Sequence, residues 1–516
     1  MRTFNTPTPV NVDAYQAGHF EMIPTGMDDF QLSHGIFRKQ LHWGDQKFAN
    51  GRLISAGLAP FLALEPGIAR PMTQQDIEES EDFYSDFNLG TMEYPWPKEM
   101  FERVVNEYGG FFPICIMGMF DGQSHYVGEP HVQIWTDEPG MGECVGWLES
   151  SLLPYLWTSA SVATRGRNRL ENMIQVYAKA YPSKNLKELK ELVATKFHDF
   201  GRRGGASSQI TGIAHLINWL GTDVCDAAFA AKKYLNDGQS FGANSIPAAA
   251  HRTITPHATE DAAYERHIEL FKKYPVIAIV ADSYGFTQGI NKLASYAEVI
   301  KLENGFLVGR PDSGDPTECV LEGLEVFGEA FGTETQESGL KVINNAAIIQ
   351  GDGVSDRIIF ESILPAVMAK GFCPSNVGFG MGEYNHRCVR SDTEEAYKTA
   401  LVGTEADGKY RECMKGSENF FKRSVPGPVA VHCDRLDARV VPITLEQLKQ
   451  GEAGDLNVMY DRRPNPLPVK RELFEQTRTR SWESWLQIPQ YYGDTFATEL
   501  REKQTEYLDR MSEQMG

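Results

Sequence analysis

Several short segments bring charged side chains and glycine together in ways suited to phosphate and sugar chemistry. RPDSG at residues 310–314 carries a guanidinium, a rigid proline and a carboxylate. Arg310 could hold a phosphate bidentately while Asp312 accepts from a ribose hydroxyl, and a structural Arg–Asp ion pair fits the same residues. GDG at 351–353 and GMG at 380–382 could let backbone N–H groups approach a phosphate closely, or serve only as tight turns. His251 ends the small-residue run SIPAAAH, where a ligand-facing imidazole and a satisfied structural histidine are both open. Phe200 lies between Asp199 and Gly201 and shortly before Arg203, so an aromatic face and a guanidinium could share one loop, although core packing is the usual fate of phenylalanine. Asp223 in LGTDV could accept from a ligand or cap a helix.

Such residues need a scaffold that brings them to one rim. Between residues 191 and 385 short apolar runs end in Gly, Asp, Arg or His and are usually followed by an amphipathic segment: KFHDFGRRGG, SIPAAAH, PVIAIVADSYG, GFLVGRPDSG, AAIIQGDGVS and SNVGFGMG. This is the pattern of βα units. Asp315 followed by Pro316 predicts a helix start, and Ser355 and Gly371 predict the two ends of another helix. Apolar strands alternating with helices predict a parallel sheet buried on both faces, and six or more of them predict a barrel. Polar residues at strand C-termini then carry the site, here Asp199, Arg203, His251, Asp282, Arg310, Asp312 and Asp352.

Residues 1–190 read as a mixed α/β domain that runs into the helical stretch KNLKELKELVATK, 191–425 as the barrel domain, and 426–516 as C-terminal strands and a helix packing on the N-terminal domain. The formal charge of −20 argues against a nucleic-acid surface, since phosphate backbones are bound through many Lys and Arg. Any anionic ligand must meet a local basic pocket. Eight scattered cysteines without a C-x-x-C pair predict reduced thiols rather than disulfides or zinc. With no leader-like N-terminus and no apolar run near the ~18 residues of a membrane span, the expected setting is the cytoplasm, with no membrane partner.

Taken in order, HDFGRRG, SSQ, GTD, SIPAAAH, ADSY, RPDSG, IQGDGV and FGMG resemble the nicotinamide phosphoribosyltransferase branch of the type II phosphoribosyltransferases over roughly residues 10–425. The resemblance implies an irregular (β/α) barrel with a flanking mixed α/β domain. It also implies a homodimer with shared active sites, and synthesis of nicotinamide mononucleotide from nicotinamide and phosphoribosyl pyrophosphate. It casts Phe200 and the partner subunit's Tyr15 as the two faces around the nicotinamide ring, with Asp223 accepting from the carboxamide. Arg203, His251 and Arg310 would face pyrophosphate. Asp312, Gly351 and Asp352 would hold the ribose side beside Asp282, with Gly382 and the Glu383 N–H near the mononucleotide phosphate. Arg38, Arg390, Lys398, Lys415 and Lys422 would form the basic surround. His251, Asp223 and Asp312 are the residues expected to carry catalysis, with no resident metal. Mg²⁺ would arrive with the pyrophosphate, and ATP would phosphorylate His251 to enhance turnover.

The sequence departs from that pattern in three places. Glu383 replaces a glycine in GMGEYN, Ala250 replaces a glutamate before His251, and ITGIAHLINWLGTD is several residues short. A carboxylate in the phosphate loop is tolerable only if it turns outward. Two alternatives follow: nicotinate phosphoribosyltransferase activity, or a non-catalytic ligand-binding or signalling homologue.

Overall fold

The computed structural model describes residues 6–24, 26–43, 46–47, 51–87, 89, 91–404, 408–417, 423–490 and 494–515. The chain divides into two compact units, one formed by residues 1–164, 230–241 and 388–516, the other by residues 165–229 and 242–387. In chain order the strands of the two main sheets are β1 (Phe30–Ile36), β2 (Cys115–Gly118), β3 (Pro130–Thr136), β4 (Phe197–Asp199), β5 (Val276–Val280) and β6 (Phe306–Arg310). They continue as β7 (Ala346–Gln350), β8 (Val377–Met381), β9 (Ala396–Thr404), β10 (Lys409–Glu412) and β11 (Asn457–Asp461).

The first unit is built on an antiparallel sheet in the order β10-β9-β1-β3-β2-β11. Residues far apart in sequence meet here. The C-terminal strand β11 pairs with β2, and β9 pairs with β1 so that Ile36 faces Ala396 and His34 faces Lys398. Apolar side chains including Phe30, Leu32, Met117, Trp135, Leu401, Val431 and Val458 form its core. PVAVHCD supplies the strand Val429–Val431 and the charged terminus the helix Thr498–Met515.

The second unit carries a parallel sheet in the order β4-β8-β7-β6-β5. Its strands are continuous apolar runs because helices cover both faces of such a sheet. Phe197 stacks on Phe379 at 5.3 Å and tilts against Trp219 at 4.6 Å, joining β4 and β8 to the helical layer. The registers Met381↔Asp199 and Arg310↔Val280 bring strand C-termini to a common edge. The expected helix signals hold. Asp315 accepts from Thr317 and Glu318 N–H at the start of Pro316–Phe331. Ser355 Oγ accepts from Ile358 N–H, and Gly371 ends that helical stretch with φ of +83°.

SIPAAAH forms no strand of the sheet. Pro247 has no N–H to donate, and only the parallel bridge Ala248↔Ala278 forms, with Ala249 donating to Ala278 and Ala278 donating to Pro247. Five strands rather than six therefore make up the parallel sheet of this unit. At the other edge Asp223 N–H donates to Asp199 O, and Gly221 bridges Asn244. One segment, residues 244–249, thus pairs with β5 at one end and, at the other, with residues 220–222, which run beside β4. No described helix is long and apolar enough to cross a membrane.

Candidate active site

The common C-terminal edge of the half-barrel gathers Phe200, Asp223, His251, Asp282, Arg310, Asp312, Gly351, Asp352, Gly382 and Glu383 within the second unit. Phe200 leaves β4 half-buried, its N–H donating to Met381 O. Glycines make room for its ring. A Cβ on Gly380 would collide with Cζ and Cε2 of Phe200, and one on Gly351 would lie 3.5 Å from Cε2. Gly380 therefore serves the aromatic ring, a use that GMG alone did not suggest.

Asp223 sits beside this ring loop, since a Cβ on Gly201 would already lie 3.0 Å from Val224. Among the described residues its carboxylate is engaged by side chains rather than by a helix N-terminus. Ser245 Oγ donates to Oδ1 at 2.5 Å and His198 Nδ1 stands 3.6 Å from Oδ2. Burial alone would raise the Asp223 pKa, but the nearby His198, the Ser245 hydrogen bond and the charge of Arg310 prevail and hold it below the ordinary carboxylate value. Asp223 is ionised at neutral pH.

His251 is the first residue of the short helix His251–Ile254 and keeps 43% of its side chain exposed, so it is not a buried structural histidine. Nδ1 lies 3.0 Å from Ser283 Oγ, and Nε2 lies 3.2 Å from Asp312 Oδ2 and 3.8 Å from Asp282 Oδ1. Asp282 ties the strand ends together, accepting from Asp312 N–H at 3.0 Å and Ser313 O–H at 2.6 Å. Arg310 Nη2 stands 3.5 Å from Asp312 Oδ1, a loose pair, and the buried Arg310 Nε has no acceptor among the described residues. RPDSG thus forms an ion pair and also leaves donor capacity free. Gln350 Nε2 donates to Asp352 O and shapes the GDG turn. The Arg203 backbone lies in the turn Gly201–Arg203, while its side chain lies outside the described residues. Glu383 is 72% exposed and 3.9 Å from Arg387, so its carboxylate does turn outward.

Sequence reasoning missed the layer beneath these residues. On the helix Glu149–Ala180, Arg169 donates to Asp356 at 2.6 Å and to Asn385 Oδ1 at 3.0 Å, while Arg165 donates to the carbonyls of Asn385 and Arg387. These buried guanidiniums fix the turn that follows Gly382, and the i, i+4 spacing in TRGRNR was the available signal. Asp199, fully buried, lies 3.6 Å from His386 Nε2 and 3.9 Å from His215 Nε2. Burial pushes its carboxyl up to about 6 and, chiefly by the same cause, His386 down to about 4.

The other predicted residues lie in the first unit. Tyr15 is 64% exposed, edge-on to His19 at 5.5 Å. Arg38, Arg390, Lys398 and Lys415 come within electrostatic reach of one another. The Lys398 pKa is lowered by burial and by the charges of Arg38, Lys415 and Arg390, against an opposing pull from Glu149. They form a local cluster of positive charge in an otherwise acidic chain. Lys422 lies outside the described residues.

A model of the nicotinate phosphoribosyltransferase (NAPRTase) family matches residues 195–418, a stretch that runs from β4 through every strand end described above. That stretch of the chain is similar to this family. Among relatives, it is 28% identical over 463 residues to the nicotinamide phosphoribosyltransferase of Xanthomonas campestris pv. campestris, covering 86% of this chain and 92% of that one. It is 24% identical to the enzyme of the same name from Acinetobacter baylyi, covering 68% and 73%. Among solved structures, nicotinate-nucleotide pyrophosphorylase from Pyrococcus furiosus matches with a TM-score of 0.57 at 14% identity, covering 94% of this chain and 99% of that one. Human nicotinic acid phosphoribosyltransferase matches with a TM-score of 0.54 at 14% identity, covering 96% and 99%. At that identity the two structures bear on the fold of this chain and not on its substrate.

Proposed function

We propose that this chain is a nicotinamide phosphoribosyltransferase, which joins nicotinamide to phosphoribosyl pyrophosphate and releases nicotinamide mononucleotide and pyrophosphate. The observation that carries the reading is the ionised Asp223 carboxylate beside Phe200. It can accept from a carboxamide N–H₂, whereas a nicotinate carboxylate ~4 Å away would meet a repulsion of about 4 kcal/mol at an effective dielectric near 20. The names of the bacterial relatives support the same choice. A nicotinate-specific enzyme would need that position neutral or cationic, and a non-catalytic homologue would not need the His251, Asp312 and Arg310 constellation.

In this reading the ring stacks on Phe200 and Asp223 orients it so that the pyridine nitrogen faces C1 of the ribose. Asp312, with Gly351 and Asp352, holds the sugar. The nitrogen lone pair forms the bond to C1 as the bond from C1 to pyrophosphate breaks. Arg310, with its buried unpaired Nε, and Arg203 take up charge on the leaving group. Gly382 and the Glu383 N–H face the mononucleotide phosphate. Mg²⁺ is proposed to arrive as the pyrophosphate complex, where it would screen leaving-group charge. ATP is the proposed phosphoryl donor to His251, whose exposed ring is accessible to it. The exposed Tyr15 and the basic cluster of the first unit are proposed to complete the site of the partner subunit in a homodimer. The cytoplasm is the proposed location.

The test is to incubate the purified chain with phosphoribosyl pyrophosphate, Mg²⁺ and either base, and to quantify the mononucleotide formed. Preferential formation of nicotinamide mononucleotide is expected. Equal or greater use of nicotinate would overturn the assignment.

A further inference from the structure

Arg38 and Arg390 are held by two consecutive carbonyls. Arg38 Nε donates to Glu394 O at 3.2 Å and Arg390 Nε donates to Glu395 O at 2.8 Å. The turn that presents these carbonyls continues the β1–β9 pairing beyond Ile36↔Ala396, since Arg38 and Lys39 N–H both donate to Thr393 O. Glu394 adopts φ of +49°, a left-handed conformation uncommon outside glycine that persists only when its surroundings over-determine it. The two guanidiniums also repel each other, and the charge of Arg390 adds to burial in lowering the Arg38 pKa. Two like charges and a strained turn in one place require an anchor.

The Glu395 side chain supplies one. Its carboxyl is fully buried, with Oε1 2.8 Å from His131 Nε2. The His131 ring is itself clamped, stacked on Phe37 at 4.4 Å and on His125 at 5.6 Å. Gly35 of β1 leaves space for the pair, because a Cβ there would strike Val132 and lie 3.5 Å from His131 Nε2 and 3.7 Å from Glu395 Oε1. Burial pushes the Glu395 carboxyl up and the His131 imidazole down, so both favour their neutral forms. Buried polar pairs of this kind seldom add stability over well-packed apolar side chains. What this one does add is a fixed register for the turn that aims both guanidiniums.

We infer that Glu395 and His131 are positioning residues that hold Arg38 and Arg390 as a preformed two-guanidinium clamp for the phosphates of phosphoribosyl pyrophosphate. The inference rests on the reading that these arginines face phosphate. With each Nε–H committed to a carbonyl, the Nη groups remain to engage an anion, and a preset geometry lowers the cost of doing so.

The experiment titrates inorganic pyrophosphate into the full-length protein by calorimetry and measures initial rates against phosphoribosyl pyrophosphate. Variants are Arg390→Ala, Glu395→Ala, Glu395→Gln and the double variant Glu395→Leu/His131→Leu, with thermal melts of each. Glu395→Ala should weaken pyrophosphate binding and raise KM by roughly 10- to 100-fold, the scale on which displaced positioning groups act, with a smaller change in kcat. Glu395→Gln should recover most of the loss, because an amide can still bond His131. The double variant leaves no buried polar atom of the pair unsatisfied, so it should fold and still bind pyrophosphate weakly. Wild-type pyrophosphate affinity in the folded double variant, alongside weakened binding in Arg390→Ala, would overturn the positioning role. Unchanged binding in Arg390→Ala would instead remove the phosphate reading on which it rests.

Discussion

Ser245 donates its hydroxyl to Oδ1 of Asp223 across 2.5 Å, and His198 approaches Oδ2 of the same carboxylate at 3.6 Å. These neighbours keep Asp223 charged and oriented while it stays partly buried. Asp223→Ser should therefore lower kcat/KM for nicotinamide while raising that for nicotinate, because it removes both the acceptor and the like charge. The nicotinamide-to-nicotinate ratio of kcat/KM should fall by at least 100-fold, since about 4 kcal/mol of discrimination is at stake. Ser245→Ala should shift the ratio the same way by roughly tenfold, the worth of one charge-assisted hydrogen bond. An unchanged ratio in both variants would remove Asp223 from specificity.

The Phe200 ring occupies the space that a side chain on Gly380 would need. Gly380→Ala should displace the ring and weaken base binding by about one to two decades, the equivalent of losing ~1–3 kcal/mol of stacking. The added methyl also strains the packing by roughly 1–3 kcal/mol, so a thermal melt must accompany the base titration. A folded variant with wild-type affinity for nicotinamide would mean that Phe200 does not stack on the base.

Local physics was readable in the sequence and long-range pairing was not. Apolar runs ending in polar residues marked β4 to β8, and Asp315 with Pro316 marked a helix start, because strand burial and capping are decided by neighbours in the chain. The weak edge at SIPAAAH was harder, since Pro247 interrupts a ladder whose existence depends on a partner 30 residues away. Ser245 and His198 lie 22 and 25 positions from Asp223 and carry no local signature of their contact. The His131–Glu395 pair, 264 positions apart, depends on β1 pairing with both β3 and β9, a topology that no segment announces by itself.

His251→Ala should abolish stimulation by ATP while leaving basal transfer, since the imidazole is the proposed phosphoryl acceptor and does not attack C1. Asp312 lies 3.2 Å from Nε2 and should also orient that ring. Asp312→Asn should thus reduce both ribose-phosphate affinity and the gain from ATP. Rates with and without ATP, together with acid-labile phosphate retained after ³²P-ATP labelling, report on each role. ATP stimulation of His251→Ala equal to that of wild type would exclude phosphorylation at this residue.

Glu383 points outward, 72% exposed and loosely paired with Arg387 at 3.9 Å. Glu383→Gly should leave kcat/KM for phosphoribosyl pyrophosphate equal or moderately higher, because it removes a carboxylate near the proposed phosphate position without disturbing the turn held by Arg165 and Arg169. The gain should shrink as salt is raised, since exposed charges are screened within ~8 Å at physiological ionic strength. A large loss of activity would give Glu383 a role of its own.

Tyr15 is exposed in one unit while Phe200 lines the half-barrel of the other, and the proposed site takes one aromatic from each subunit of a dimer. Each face should contribute ~1–3 kcal/mol of stacking, so Tyr15→Ala and Phe200→Ala homodimers should both bind nicotinamide one to two decades more weakly. Mixing the two under conditions that exchange subunits creates hybrids with one site lacking both aromatics and one site intact. Random exchange makes about half the dimers hybrid, and two-fold symmetry then restores about one quarter of wild-type sites. Activity at low nicotinamide should therefore rise well above the mean of the two mutants, with hybrids counted by native mass spectrometry of differently tagged chains. If a single chain supplied both faces, every site in a hybrid would still lack one aromatic and mixing would change nothing. Activity fixed at the average in the presence of hybrids would return Tyr15 to the role of an ordinary surface tyrosine.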